Sequence, residues 1–112
     1  MSIQPIFEIQ ANLCRTLSNA IRLEIIYILN DGPKRVTDIA KLVSCPPGMI
    51  SRHLGALREG GVVTAKRHNQ DVIYRISNPK IVEICNLMRE VMAEENSHRS
   101  KLIESLDDKP SG

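Results

Sequence analysis

A double proline between two short amphipathic segments is the feature of this sequence that most restricts its fold. Residues 44–63 read SCPPGMISRHLGALREGGVV, and the segment VTDIAKLV precedes them. Proline lacks the N–H that a helix interior needs, so Pro46 and Pro47 end one helix, and Pro47 also suits the first turn of the next. Gly60 and Gly61 end that second helix. The sequence therefore predicts two short helices joined by a tight turn, which is a helix-turn-helix.

Apolar residues at helical spacing indicate which faces of this pair are buried. We expect Thr37 to cap the first helix through its hydroxyl. The inward-facing residues are predicted to be Ile39, Ala40, Leu42 and Val43 in the first helix and Ile50, Leu54 and Leu57 in the second. The remaining positions of the second helix, among them Ser51 and Arg52, then lie on its outer faces.

Two more helices are predicted before this pair. The first, residues 4–17, has one apolar face made of Ile6, Ile9, Leu13 and Leu17 and another made of Phe7 and Cys14. A helix that is apolar on two faces needs cover on more than one side. The next helix has Ser18 or Asn19 as its cap and Gly32 as its end. Its core face is predicted to contain Ile21, Ile25, Ile28 and Leu29, with Leu23 and Ile26 added.

A hairpin and a long helix are predicted after the pair. The segments VVTAKR and VIYRIS are rich in residues that favour strands, and HNQD joins them as a polar tip. Asn78 and Pro79 then open a helix. Its apolar stripe is Ile81, Ile84, Met88 and Val91, with Cys85 and Met92 beside it. A long amphipathic terminal helix of this kind is often a dimerisation element.

The order of elements, α-α-α-α-β-β-α, defines a fold class that is mainly α with a small β-hairpin (α+β). A helix-turn-helix followed by such a hairpin is a winged helix-turn-helix. The length of 112 residues fits one small domain, which we place at residues 1–106, with a disordered tail at 107–112. We expect the first and last helices to form the dimer.

Composition narrows the function classes. No apolar run approaches a membrane span, and the start of the chain has no signal-peptide pattern, so a cytoplasmic protein without a membrane partner is expected. Neither a Ser-His-Asp pattern, a phosphate-binding glycine loop nor a carboxylate pair with a base is present, so an enzyme is not expected. From Lys34 to Arg67 there are seven basic residues against two acidic ones, which suggests a polyanionic partner.

Three segments together resemble a known family. LCRTLSNAIRLEIIYIL resembles the opening of ArsR/SmtB-type bacterial repressors, VTDIAKLVSCPPGMISRHLGALREGGVV their helix-turn-helix, and TAKRHNQDVIYRIS their wing. The resemblance covers roughly residues 10–92. It implies a cytoplasmic homodimer that binds double-stranded operator DNA, requires no cofactor, and is released when a metal, metalloid or oxidant is sensed.

Candidate DNA-binding residues follow from the two elements that a winged helix presents to DNA. The start of a recognition helix meets base edges, and Arg52 can pair with guanine through two hydrogen bonds. His53 is expected either to contact phosphate or to pack against the third helix. The candidate set is Thr37, Gly48, Met49, Ser51, Arg52, His53 and Arg58 in the helices, and Lys66, Arg67, His68, Asn69 and Gln70 in the wing. The alternative is that these residues are ordinary surface charges.

The sequence departs from the family in its turn and in its metal sites. Pro46, Pro47 and Gly48 stand where the family usually has polar residues, so base reading shifts toward Met49, Ser51 and Arg52. The family's site at the third helix is matched by Lys34, Arg35 and Val36, which include no thiol. The site along the terminal helix is matched by Asn78, Lys80, Val91 and Glu94, of which only Glu94 is a ligand type. Neither standard metal site is expected, and His98 is interpreted as a solvated residue.

Three cysteines leave a thiol-based signal open. Cys14, Cys45 and Cys85 are far apart in the sequence and form no CxxC motif, so a disulfide framework is not expected. Thiolates suit As(III), Cu(I) and other thiophilic ions, and a dithiol can also be oxidised. Cys14 and Cys85 lie on the two helices expected to form the dimer, and Cys45 precedes the recognition helix. The alternative for each is packing, because cysteine behaves as a small buried hydrophobe.

Together these observations predict a homodimeric repressor that a thiol-directed signal releases from its operator. Two alternatives stay open at this point. One is a winged helix that binds a protein, and the other is an ArsR-type regulator without a metal inducer.

Overall fold

The computed structural model describes residues 4–95 and 97–107, which form six helices and three strands. The helices are α1 (Pro5–Leu17), α2 (Ala20–Leu29), α3 (Val36–Val43), α4 (Pro47–Glu59), α5 (Pro79–Glu95) and α6 (Ser97–Asp107). The strands are β1 (Lys34–Arg35), β2 (Val63–His68) and β3 (Asp71–Ile76). The chain divides into two compact units, of which the first ends at Pro79 and the second begins at Lys80. None of the described helices is both long and apolar enough to span a membrane.

The wing is a three-stranded antiparallel sheet with the order β1-β3-β2. The predicted hairpin is present, but its strands reach further toward the tip than expected, since His68 pairs with Asp71. The turn therefore consists of Asn69 and Gln70 alone, and Asn69 adopts a left-handed φ of 58°. Asparagine tolerates this conformation better than most residues, which suits it to a two-residue turn.

Local signals explain where α2 and α4 begin. The Asn19 side chain accepts hydrogen bonds from the backbone N–H groups of Ile21 and Arg22, which confirms it as the cap of α2. Pro47 occupies the first turn of α4, as expected. The prediction that Thr37 caps α3 is wrong. The helix begins at Val36, directly after β1, so Thr37 lies inside the first turn and Arg35 is the residue before it.

The core of the first unit lies between α2, α3, α4 and the start of the hairpin. Its buried members are Leu17, Ile25, Ile26, Leu29, Ile39, Ala40, Ile50, Leu54, Leu57, Val62 and Val63. Leu42 was expected to face inward, but it is 42% exposed. On α3, Ile39 and Ala40 are buried and Val43 is half-buried. At 3.6 residues per turn, Leu42 lies about a third of a turn from the centre of these three residues.

The second unit contains α5 and α6. On α5, Ile81, Val82 and Cys85 are buried, whereas the rest of the predicted stripe is exposed. The exposed apolar residues of α5 are Ile84, Leu87, Met88, Val91 and Met92, which we call the α5 apolar face. Helix α6 extends to Asp107, and residues 108–112 of the predicted tail lie outside the described residues, as does the side chain of His98.

Gly60, which directly follows α4, lies close to Thr16 of α1, and this contact predicts how a larger residue at position 60 would change stability. A Cβ at Gly60 would lie 2.6 Å from Oγ1 and 2.7 Å from Cγ2 of Thr16. Thr16 is β-branched, and its hydroxyl donates to the Asn12 carbonyl at 3.0 Å, so it cannot easily move away. We expect Gly60→Ala to lower the free energy of unfolding by about 1–3 kcal/mol, measured by urea denaturation.

The matched control for this substitution lies within α4, about one and a half turns before Gly60. A Cβ at Gly55 would meet nothing within 4 Å, so Gly55→Ala should raise the free energy of unfolding by about 0.5–1 kcal/mol. Equal effects of the two substitutions would show that Thr16 and Gly60 do not approach as closely as described.

Candidate nucleic-acid interface

The buried residues of α4 fix the rotation of the helix about its own axis. Ile50, Leu54 and Leu57 are each fully buried, and they lie on one face of the helix. The opposite faces are therefore directed to solvent. The predicted candidates that lie there are exposed, and they are Gly48, Met49, Ser51, Arg52 and Arg58. Thr37, at the start of α3, is exposed as well.

Arg52 is the candidate base-reading residue on this helix. It lies in the second turn of α4 and is exposed. Its guanidinium makes no hydrogen bond or ion pair with the residues that the structure describes. Five N–H donors are thus available for an external acceptor, which is the condition for reading guanine through two hydrogen bonds.

The predicted wing residues form the exposed end of the hairpin. Lys66, Arg67 and His68 are the last three residues of β2, and Asn69 and Gln70 are the turn. All five are exposed. This end of the hairpin carries cationic and amide donors, which match phosphate and minor-groove acceptors.

An ion-pair cluster that the sequence pattern does not reveal joins α3 to the wing. Arg35 Nε donates to Asp38 Oδ2 at 3.1 Å, and Arg35 Nη1 lies 3.6 Å from Asp71 Oδ2. The hydrogen bond from Arg35, together with its charge, lowers the pKa of Asp38 below its ordinary value. All three side chains are about half exposed, so these ion pairs add little to the stability of the fold.

His53 is half-buried, whereas the other candidates on α4 are exposed. The two expected roles were a phosphate contact and packing against the third helix. Its Nδ1 accepts a hydrogen bond of 3.1 Å from Arg22 Nε, so the residue bonded to the ring belongs to α2. Both expected roles stay predictions.

The three cysteines differ in accessibility. Cys14 is exposed, Cys45 is half-buried and Cys85 is buried. Burial raises the pKa of the Cys85 thiol, and the charge of Arg89 opposes this only in part. Burial and a raised pKa favour a packing role for Cys85, whereas the thiol of Cys14 is accessible from solvent. Within residues 4–95 and 97–107, no three His, Cys, Asp or Glu side chains come close enough to hold a metal ion.

The difference between the thiols predicts their order of alkylation. Because the thiolate is the reactive form, we expect Cys85 to react with iodoacetamide at least about tenfold more slowly than Cys14 at pH 7.5. Peptide mass spectrometry at successive times measures the three rates. Because the pKa of Cys85 is raised, its rate of alkylation should approach that of Cys14 as the pH rises through the alkaline range. Equal rates for Cys14 and Cys85 in the folded protein would contradict the described burial.

Comparison with known proteins connects this geometry to a family. The family described as bacterial regulatory protein, arsR family, matches residues 19–65. An HTH-type transcriptional regulator of Mycobacterium tuberculosis is 32% identical over 110 residues, which cover 95% of this chain and 94% of that protein. The chain belongs to the arsR family of bacterial regulatory proteins. This arsR-family protein is a transcriptional regulator with a DNA-binding winged helix-turn-helix and not an enzyme, which confirms the predicted family, fold and non-enzymatic class.

Solved structures agree with this assignment. A crystal structure of a Mycobacterium tuberculosis protein is 30% identical to the arsR-family chain, with a TM-score of 0.76, covering 88% of this chain and 99% of that one. A solution structure from Mycobacterium bovis, described as a homodimeric winged helix-turn-helix DNA-binding domain, is 29% identical. Its TM-score is 0.71, and the match covers 86% of this chain and 93% of that one. A biofilm growth-associated repressor of Xylella fastidiosa is 31% identical over 78 residues, which cover 70% of this chain and 68% of that protein.

Proposed function

We propose that this protein is a cytoplasmic, homodimeric repressor that binds operator DNA and is released by a thiol-directed signal. The observation that carries the proposal is the exposed Arg52, which has no partner among residues 4–95 and 97–107, on a helix whose rotation is fixed by three buried residues. Residues 1–106 act as the DNA-binding and dimerisation domain in this proposal. No cofactor is required for binding to DNA.

The proposed DNA complex places the two α4 helices of a dimer in successive major grooves, about 34–36 Å apart. Met49, Ser51 and Arg52 read bases, and Gly48 lets the backbone approach. Phosphates are contacted by the remaining candidates of the first unit, which are Thr37, His53, Arg58 and the wing residues Lys66, Arg67, His68, Asn69 and Gln70. Contacts to phosphate fix the register, and contacts to base edges supply specificity.

The proposed dimer uses the apolar surfaces that α1 and α5 leave exposed. Ile6, Phe7 and Ile9 on α1 are each more than half exposed, and five apolar residues form the α5 apolar face. Solvent-exposed apolar patches of this kind mark interaction surfaces. The homodimeric Mycobacterium bovis relative supports a second copy of the same chain as the partner.

The proposed signal acts on thiols. As(III) or Cu(I) binds the cysteine sulfurs as thiolates, and the protons of the thiols are released to solvent, whereas peroxide oxidises two thiols to a disulfide and is itself reduced to water. Cys14 is exposed on α1, and Cys45 precedes α4, so a change at either site lies close to the dimer or to the reading helix. Cys85 is the less favoured site, because it is buried.

Salt dependence of DNA binding tests the regulatory function. With six to ten phosphate contacts, the affinity for a duplex should fall by about 10³–10⁵ between 50 and 200 mM salt. Lys66→Gln should reduce the slope of log affinity against log salt by about 0.9 for each subunit. Weak binding that salt does not change would contradict the proposal and favour a winged helix that binds a protein.

Serine substitutions test the signal separately. Cys14→Ser, Cys45→Ser and Cys85→Ser proteins are bound to DNA, and release by As(III), Cu(I) and peroxide is followed by fluorescence anisotropy. We expect Cys14→Ser or Cys45→Ser to lose release by at least one of these agents. Release that is the same in the wild type and in all three variants, or no release in any of these four proteins, would exclude a thiol signal and leave a regulator without a metal inducer.

A further inference from the structure

We infer that Arg22 is a positioning residue for DNA recognition, which holds the His53 ring so that its Nε2–H is presented to a DNA phosphate. The inference rests on the proposed function of α4 as the recognition helix. It concerns a residue of α2 that was not a candidate for the interface, and it assigns one specific ring atom of His53 as the donor.

Arg22 is fixed at both its backbone and its side chain. Its backbone N–H donates to the side chain of Asn19, the cap of α2, at 3.1 Å. Its Nη1 donates to the Thr16 carbonyl at 3.3 Å, near the end of α1. Its Nε donates to His53 Nδ1 at 3.1 Å. Because two bonds hold the guanidinium between α1 and α4, and a third fixes the backbone of Arg22 at the start of α2, the guanidinium acts as a support for the His53 ring.

The chemistry of this contact determines the state of the His53 ring. A guanidinium has donors only, so Nδ1 must be the acceptor. A neutral imidazole that accepts at Nδ1 carries its single proton on Nε2. The structure therefore assigns the Nε2–H tautomer, with the ring plane set by the direction of the Arg22 Nε–H bond.

The Nε2–H donor is available for an external acceptor. It makes no hydrogen bond to the described part of the chain. No side-chain nitrogen or oxygen among the described residues is both buried and without a partner, so Nε2 reaches solvent. His53 directly follows Arg52 on α4, and this donor is thus placed on the helix that is proposed to enter the major groove. A phosphate oxygen is the acceptor that flanks such a helix most often.

A neutral donor differs from a cationic one in a measurable way. Lysine and arginine contacts to phosphate release counterions and contribute to the salt slope, whereas a neutral imidazole does not. Loss of the His53 contact should lower affinity while leaving the salt slope unchanged. Lys66→Gln, which should change the slope, is the matched comparison.

The ring tautomer is tested first, in the full-length protein without DNA. Long-range ¹H–¹⁵N spectra of the His53 ring should show Nε2 protonated and Nδ1 accepting a hydrogen bond. In Arg22→Met, which keeps an apolar stem but has no donor, the Nδ1 signal should move toward that of a free imidazole acceptor. Arg22→Lys, which retains a donor, should restore the wild-type signal. A protonated Nδ1 in the wild type, or identical spectra for wild type and Arg22→Met, would overturn the inference.

Amide isosteres test the contact with DNA. The glutamine side-chain N–H₂ lies near the Nε2 position and that of asparagine near Nδ1. We expect His53→Gln to bind a duplex within about threefold of wild type, and both His53→Asn and Arg22→Met to bind about tenfold more weakly, with an unchanged salt slope. Circular dichroism and urea unfolding show whether each variant is folded.

The outcomes separate this inference from the proposed function. If wild-type protein binds DNA but the glutamine and asparagine variants bind equally well, only the positioning role fails. If wild-type protein shows no salt-dependent binding at all, the proposed function fails and the role in DNA recognition fails with it, whatever the tautomer of His53.

Discussion

Leu87→Glu is expected to convert the protein from a dimer to a monomer. Leu87 is 58% exposed on the α5 apolar face, between Ile84 and Val91. A carboxylate buried without a partner in an interface costs several kcal/mol, which exceeds what the surrounding apolar contacts recover. Because two linked binding events would become one, affinity for a two-half-site duplex should fall by about 100-fold or more. Analytical ultracentrifugation at micromolar concentration measures the change in mass.

The matched control introduces the same charge elsewhere on α5. Asn86 is exposed and lies on the side of the helix opposite to the α5 apolar face. Asn86→Glu should therefore remain dimeric and bind DNA nearly as the wild type does. A dimeric Leu87→Glu protein would show that α5 does not form the interface.

Arg52→Gln is expected to remove most of the preference for the operator over unrelated DNA. A two-bond contact to guanine is worth about 1–3 kcal/mol in each half-site, so a dimer should lose about 30-fold or more in specific affinity. Binding to a scrambled duplex should change far less. Fluorescence anisotropy with both duplexes measures the ratio of the two affinities.

Lys66→Gln is the control that separates positioning from base reading. It should weaken binding to operator and scrambled DNA by similar factors, because a phosphate contact carries no sequence information. If Arg52→Gln behaves in the same way as Lys66→Gln, Arg52 is a phosphate contact and the assignment of base reading to it is wrong.

The helix-turn-helix could be predicted because local rules and burial agree there. Proline chemistry places the start of α4, and apolar residues at positions 50, 54 and 57 leave only one face that can be buried. Once that face is assigned, the exposure of Ser51 and Arg52 follows without any knowledge of tertiary contacts. Local reasoning also narrowed the cap of α2 to Ser18 or Asn19, and the structure shows that Asn19 is the cap, through bonds to residues two and three positions away.

Contacts between distant residues could not be predicted in this way. Strand β1 consists of two charged residues with no strand-like composition, and it exists because Lys34 and Arg35 pair with Tyr74 and Ile73. The bond between Arg22 and His53 joins residues 31 positions apart. Nothing in the local pattern of either segment indicates such a partner.

Apolar periodicity also cannot distinguish a core from an interface. On α1, Leu17 is buried while Ile6 and Ile9, on the same predicted stripe, are exposed. On α5, Ile81 is buried while Ile84 and Val91 are exposed. Both situations produce the same spacing in the sequence, because a surface that binds a second chain needs the same residues as a core.

Selection of bound duplexes from a random DNA pool is the measurement that tests the central claim most directly. A homodimer that reads bases through α4 should enrich a sequence with twofold symmetry, whose half-sites lie about 10 base pairs apart. Arg52→Gln protein should lose the enrichment at guanine positions within each half-site. A wild-type pool that stays indistinguishable from the input, or an enriched sequence that does not depend on Arg52, would contradict the account.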